Sequence, residues 1–336
     1  MKNISLLDCT LRDGGYVNEW EFGAECIRET CRVMADAGIE IVELGFLRDA
    51  PYDPDIAIFN DMHQIAELIG DKRENTVYAV MCEAMEALPV EKISQRTDDT
   101  ADVIRVIVWK SEMQKGYDYC KGIVERGYRL CVQPNRVDQY SFDELRETAE
   151  LFNTLDPLGF YVVDSFGLLN CEQIMEYVEV ADSALSRDVS LGYHGHNNLM
   201  QAGGTAEAFV KRETTRDIIV DASIYGIGRG AGNLNIEIFA KYLNENFGKS
   251  YNLTPMLDIW EKHLCYIREK TVWGYTMGYY LSALYRCNPM YAEYYEGEMN
   301  LPATDIDRIL SSLSDIDRVI FTRDKAKAYW EKHADR

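Results

Sequence analysis

The sequence predicts an α/β protein, a (β/α)8 barrel followed by a helical C-terminal module. Three observations carry that expectation. Short β-rich runs alternate with segments of period near 3.6 from the N-terminus onward. Eight such pairs occupy about 245 residues, the count and size of a closed barrel. After Phe247-Gly248-Lys249-Ser250 the strand rhythm stops. A doubly wound open sheet gives a similar alternation. Polar motifs that follow many strands, rather than one switch point, favour the barrel.

The expected strands are 5–9, 39–46, 76–81, 103–109, 129–133, 160–164, 190–194 and 218–222. Between the first two, residues 24–37 place Ile27, Cys31, Met34 and Ala35 on one helical face, and Gly38 supplies the stop. Ser141 with Glu144 three residues later reads as a capping box that opens the fifth helix. Residues 1–248 form the expected barrel domain. Residues 251–336 read as helices with an aromatic block from Trp273 to Tyr295, a module for packing, partner or homo-oligomer contact.

Composition narrows the function. A chain with 47% hydrophobic and 27% charged residues has ample material for a core. Its net charge of -21 repels phosphate backbones and anionic lipid, which argues against nucleic acid and membrane surfaces as partners. No apolar run is long enough to span a bilayer. Nine scattered cysteines without a CxxC pattern read as reduced, mostly buried thiols of a cytoplasmic protein.

The chemistry-bearing stretches fall at strand ends. The first strand runs into Asp8-Cys9-Thr10-Leu11-Arg12-Asp13-Gly14-Gly15, read as a charged, glycine-rich loop. The seventh ends in His194-Gly195-His196. Residues two apart share a strand face, so both imidazoles point one way, as ligands of one divalent ion. In a barrel, strands one and seven serve the same mouth, so Asp13 can complete the set. Arg12 beside it is a fixed cation for a developing oxyanion. A site of one carboxylate and two neutral imidazoles keeps a net positive charge with its ion, which suits a keto acid and its enolate.

Glu43 stands inside the apolar strand Ile41-Val42-Glu43-Leu44 and is expected to face the mouth, against Arg12 or a polar ligand. Ser165, after the sixth strand, is a candidate for a substrate carboxylate. The eighth strand leads into Gly226-Ile227-Gly228-Arg229-Gly230-Ala231-Gly232-Asn233. This satisfies a dinucleotide pattern formally, yet no further βαβ units follow it. In a barrel it closes the mouth, with Gly228 and Gly230 permitting close approach of an anionic ligand.

With these residues the sequence resembles the DRE-TIM metallolyases. Asp8 to Gly14 is similar to their D-x-T-L-R-D-G signature, and residues 192–199 to their HxH metal motif. Within the superfamily the likeness is nearest to the pyruvate-dependent 4-hydroxy-2-oxovalerate aldolases, whose glycine-rich segment resembles residues 221–233. The resemblance implies Asp13, His194 and His196 as ligands of Mn2+, Mg2+ or another divalent ion. It implies that Arg12 stabilises a pyruvate enolate and that Ser165 touches the keto acid. It also implies Asn233, Tyr275 and Tyr279 as substrate contacts, the two tyrosines in a weak echo of the aldolases' communication domain, and an aldehyde dehydrogenase as partner. The aldolases carry a catalytic histidine where this chain has Tyr16, a weaker base with an unperturbed pKa near 10.

The leading expectation is therefore a metal-dependent aldolase-type lyase acting on a small 2-oxo acid and an aldehyde. An acyl-CoA-dependent Claisen synthase and a non-catalytic metal-binding scaffold are the alternatives.

Overall fold

A computed structural model describes residues 2–85 and 87–334. Eight parallel strands close on themselves: β1 (Ile4–Asp8), β2 (Ile41–Leu47), β3 (Val77–Glu83), β4 (Val103–Val108), β5 (Arg129–Pro134), β6 (Gly159–Asp164), β7 (Ser190–Gly195) and β8 (Ile218–Ala222). Closure is made by β1, which pairs with β8 (Asp8 beside Ala222) and with β2 (Asp8 beside Val42). A two-residue strand, Ile58–Phe59, flanks β2 outside the ring.

Two apolar layers follow from the two faces of each strand. In β4, Val103 joins Leu7, Ala79, Cys131 and Tyr161 inside the ring, whereas Ile104 and Val106 belong to the layer beneath the helices. The same alternation turns Arg105 inward beside Val103.

Seven helices longer than one turn cover the barrel: α1 (Ala24–Asp36), α2 (Met62–Ile69), α3 (Met113–Glu125), α4 (Phe142–Asn153), α5 (Cys171–Ala184), α6 (Ala202–Lys211) and α7 (Ile236–Phe247). Ile27, Cys31, Met34 and Ala35 of α1 are buried, and the Ser141–Glu144 capping box forms. The eighth expected helix is missing among the described residues. After β3 the chain makes only a 3-10 turn, Val90–Lys92. Pro89 disfavours helix in the residue before it, and Thr97 to Thr100 closes a hydrogen-bonded turn, so no helical run develops.

A second difference lies after β1. Thr10–Asp13 is a helical turn rather than open loop, followed by another, Gly15–Asn18. Asp8 Oδ1 accepts from both Thr10 N (3.1 Å) and Thr10 Oγ1 (2.5 Å), and Asp13 N donates to Cys9 O (2.9 Å). That local cap starts the turn and fixes the direction of Arg12 and Asp13.

Beyond residue 250 the structure is helical, with two π-helical stretches, Trp260–Leu264 and Glu293–Glu298. Met256, Ile259, Leu264 and Trp273 pack into the barrel's outer layer. Leu281, Tyr291, Tyr295, Ile306, Ile309 and Leu310 form a separate cluster. No helix among the described residues is long and apolar enough to cross a membrane.

Candidate metal centre and active site

The C-terminal ends of β1 and β7 and the loop after β8 meet at one mouth, around a small cavity of about 50 Å3. Arg12, Asp13, Tyr16, Ser165, His194 and His196 line it, with Gln133, Asn135 and Arg229. One carboxylate oxygen of Asp13 and one nitrogen from each histidine lie within 4.8 Å of one another, all buried.

Hydrogen bonds assign the protons. His194 Nδ1 is 3.0 Å from Asp221 Oδ2, and His196 Nδ1 is 3.0 Å from the Arg229 carbonyl oxygen. Both partners are acceptors, so each Nδ1 carries the hydrogen and each Nε2 keeps its lone pair. The two Nε2 atoms face each other at 3.3 Å, 4.0 and 3.8 Å from the Asp13 oxygens. Two lone pairs and a carboxylate converge without a hydrogen between the nitrogens. This donor set fits a divalent cation. Burial, with the neighbouring His194, lowers the His196 pKa to about 4, against the pull of Asp13, so the ring is neutral and ready to ligate. Burial pushes Asp13 up, but the Arg12 guanidinium, helped by the hydrogen bond from Asn233, outweighs it, and the carboxyl stays well below its usual range.

Asp13 is held from three sides. Arg12 Nη1 donates to Oδ1, while Asn233 Nδ2 (2.7 Å) and Arg229 N (3.4 Å) approach Oδ2. Gly228 makes this possible. A Cβ there would sit 2.2 Å from Asn233 Nδ2 and 2.6 Å from Asp13 Oδ2. Asn233 Oδ1 is buried without a partner, a further oxygen acceptor beside the ligand set.

Arg12 is oriented by Glu43, whose Oε2 accepts from Nε at 2.8 Å, and by Trp20, whose Nε1 donates to the Arg12 carbonyl at 2.7 Å. Glu43 is fully buried and does not line the cavity; it acts through Arg12. Its Oε2 also lies 2.7 Å from Arg105 Nη1, and Arg105 Nη2 bonds Asp221 Oδ2, the atom that holds His194. A line of alternating charge thus runs Asp13, Arg12, Glu43, Arg105, Asp221, His194, leaving the site and returning to it inside the barrel. Arg105 and Asp221 escaped the sequence reading, although each is a charge inside an apolar strand, the signal that singled out Glu43.

The other expected residues divide. Tyr16 lines the cavity, edge-on to Trp20 with ring centroids 4.9 Å apart. Burial raises its phenol above the ordinary value, with Arg229 opposing. Ser165 lines the cavity too, but its hydroxyl donates to Asn135 Oδ1 (2.7 Å) and accepts from Arg136 N (2.9 Å). Tyr279 is 8% exposed and packs on Ala231 outside this cavity. Tyr275 is 48% exposed, its hydroxyl 4.0 Å from the Met277 sulfur, and is not brought to the site.

A family profile named HMGL-like matches residues 3–261, from β1 through the first C-terminal helix. The chain belongs to the HMGL-like family. Among curated relatives of this HMGL-like chain, the 4-hydroxy-2-oxovalerate aldolase of Bacillus cereus is 23% identical over 311 residues, 90% of this chain and 89% of that protein. The oxaloacetate decarboxylase of Mycobacterium tuberculosis is 28% identical over 235 residues, 69% of this chain and 67% of that protein. Among solved structures, the N-terminal domain of a putative aldolase from Bacteroides vulgatus aligns with a TM-score of 0.67 at 21% identity, covering 92% of this chain and 97% of that one. That likeness bears out the barrel fold.

Proposed function

We propose that this chain is a divalent-metal-dependent carbon–carbon lyase acting through the enolate of a pyruvate-type 2-oxo acid, with a 4-hydroxy-2-oxo acid as the cleaved or formed compound. One observation carries the reading: the Nε2 lone pairs of His194 and His196 and the Asp13 carboxylate converge beside Arg12 in a small polar cavity. The relatives named aldolase and decarboxylase support it. A divalent ion held by Asp13, His194 and His196, with Mn2+ first choice, supplies positive charge against the oxygens of the bound 2-oxo acid.

The protein's own groups do the rest. Arg12 commits Nε to Glu43 and Nη1 to Asp13, which leaves Nη2 to donate to the enolate oxygen. Its position is fixed before substrate arrives, so little reorganisation accompanies charge development. In cleavage the C3–C4 bond breaks, its electron pair enters the enolate, the 4-hydroxyl proton leaves through the Tyr16 oxygen to solvent, an aldehyde departs, and the enolate takes a proton at C3 to become pyruvate. In addition the same atoms run backward. Tyr16, kept as a neutral phenol, is suited to protonate the new alkoxide. Ser165 and Asn135, tied to each other, give the cavity lining a polar stretch beyond the ligand set.

The decarboxylase relative favours a second reading, in which loss of carbon dioxide from oxaloacetate reaches the same enolate. Pyruvate in deuterium oxide tests the shared step. Metal-dependent exchange of its methyl protons is expected, and no exchange with any divalent ion refutes both readings. Turnover of oxaloacetate with no aldehyde addition selects the second.

A further inference from the structure

A second, larger hollow of about 440 Å3 lies outside the metal cavity. The loop after β8 forms one side, and the C-terminal part forms the other, through residues 270–273 and the π-helical Glu293–Glu298. Tyr16 and Arg229 line both hollows, so two side chains stand between the reacting groups and this outer chamber.

Two cations, Arg229 and Lys270, and two acids, Glu293 and Glu298, line the chamber. Arg229 sits with its guanidinium carbon 5.6 Å from the Tyr16 ring and 5.1 Å from the Phe166 ring, and donates to Asn288 Oδ1 at 3.2 Å. No carboxylate pairs with it within 4 Å among the described residues, and none pairs with Lys270 at the rim. The two acids of the chamber are otherwise occupied. Glu298 is held by both Nη atoms of Arg323. Glu293 lies 3.5 Å from the Tyr279 hydroxyl, and burial raises its carboxyl while Arg229 pulls it down. In a protein of net charge -21, a hollow beside the metal cavity thus holds two cations with no ion pair within 4 Å among the described residues, Glu293 being the acid that Arg229 feels. A guanidinium braced by aromatic rings, with donors to spare, is suited to an oxyanion.

We propose that this chamber receives an anionic group, carboxylate or phosphate, at the far end of the carbonyl substrate, held by Arg229 and Lys270. The inference rests on the enolate reading and names its second substrate: an aldehyde of several carbons with a terminal oxyanion. The corresponding 4-hydroxy-2-oxo acid then carries an anionic group at each end. A two-carbon aldehyde would leave the chamber empty.

The test pairs metal-loaded full-length protein and pyruvate with three aldehydes: butanal, 4-oxobutanoate and glyceraldehyde 3-phosphate. The expected kcat/KM for one of the anionic aldehydes exceeds that for butanal by about tenfold to a hundredfold, the worth of one charge-assisted contact. Whichever anionic aldehyde leads identifies carboxylate or phosphate. Arg229→Gln is expected to bring the anionic-to-neutral ratio toward one, and Lys270→Gln, at the exposed rim, to lower it less and through KM. A ratio near one in the wild-type protein, or one insensitive to both substitutions, overturns the proposal. If pyruvate still exchanges its methyl protons in that case, the enolate reading stands alone; if it does not, both fall.

Discussion

Arg105 and Asp221 form an ion pair entirely inside the barrel, both at or below 2% exposure, directly behind His194 of the candidate metal centre. The second nitrogen of Arg105 faces Glu43, and its guanidinium stacks 4.7 Å over the Tyr161 ring. One cation thus bridges two carboxylates, of which Glu43 also pairs with Arg12 and Asp221 also holds His194. Arg105→Met leaves Asp221 without a cation, while Glu43 keeps Arg12, and should cost about 3–5 kcal/mol of stability. Urea unfolding followed by circular dichroism measures it, and Arg105→Lys should recover only part, since a point charge cannot bridge both acids.

Asp221 fixes the tautomer of His194. Asp221→Asn keeps the shape but offers an amide whose orientation is set by Arg105 as well. Mn2+ affinity, read by titration calorimetry, should fall by about tenfold to a hundredfold. Unchanged affinity would show that the ring is oriented without it.

Gly228→Ala drives a methyl into Asn233 and Asp13 and should weaken Mn2+ binding by at least about tenfold, with little change of fold. Gly204→Ala is the contrasting case. That exposed glycine in α6 has nothing within 4 Å of an added Cβ, so the variant should be stabilised by about 0.5 kcal/mol through the unfolded chain. Thermal melts distinguish the two.

Asp8 is buried with Oδ2 unpartnered, and burial raises its carboxyl to about 7 despite two bonds from Thr10; Glu43 adds to the rise. The folded protein then keeps a proton that the unfolded chain, with its carboxyl near 3.8, has released. Stability from this group is fully present below pH 4 and falls as pH rises through 7, by at most about 4 kcal/mol. Asp8→Asn retains the Oδ1 acceptor and should flatten the stability profile between pH 4 and 7.

Tyr16→Phe removes only the phenol oxygen. Aldehyde addition should slow by about a hundredfold if that group passes the proton to the new alkoxide. Full kcat in the variant would take Tyr16 out of the mechanism.

The barrel was legible because its strands and helices announce themselves by period, and His194-Gly195-His196 because two-residue spacing fixes a common face. Arg12 and Asp13 were legible as a pair, yet the turn that aims them depends on Asp8 capping Thr10, which charge and glycine content conceal. Glu43 stood out as a lone charge in an apolar strand. Arg105 and Asp221 showed the same anomaly 62 and 178 positions further on, and only closure of the ring reveals that the three answer one another. Tyr275 misled because likeness in the C-terminal part does not fix where a surface side chain sits. Where the rhythm calls for a helix after β3, the described residues hold only the 3-10 turn Val90–Lys92 and the hydrogen-bonded turn at Thr97–Thr100.

Tyr291 and Tyr295 anchor a small core apart from the barrel, and the π-helical turn Glu293–Glu298 hangs from it as a wall of the outer chamber. Substitutions in that small core would therefore be felt at the chamber wall, while the buried ion pairs Arg12–Glu43 and Arg105–Asp221 lie in a different part of the molecule.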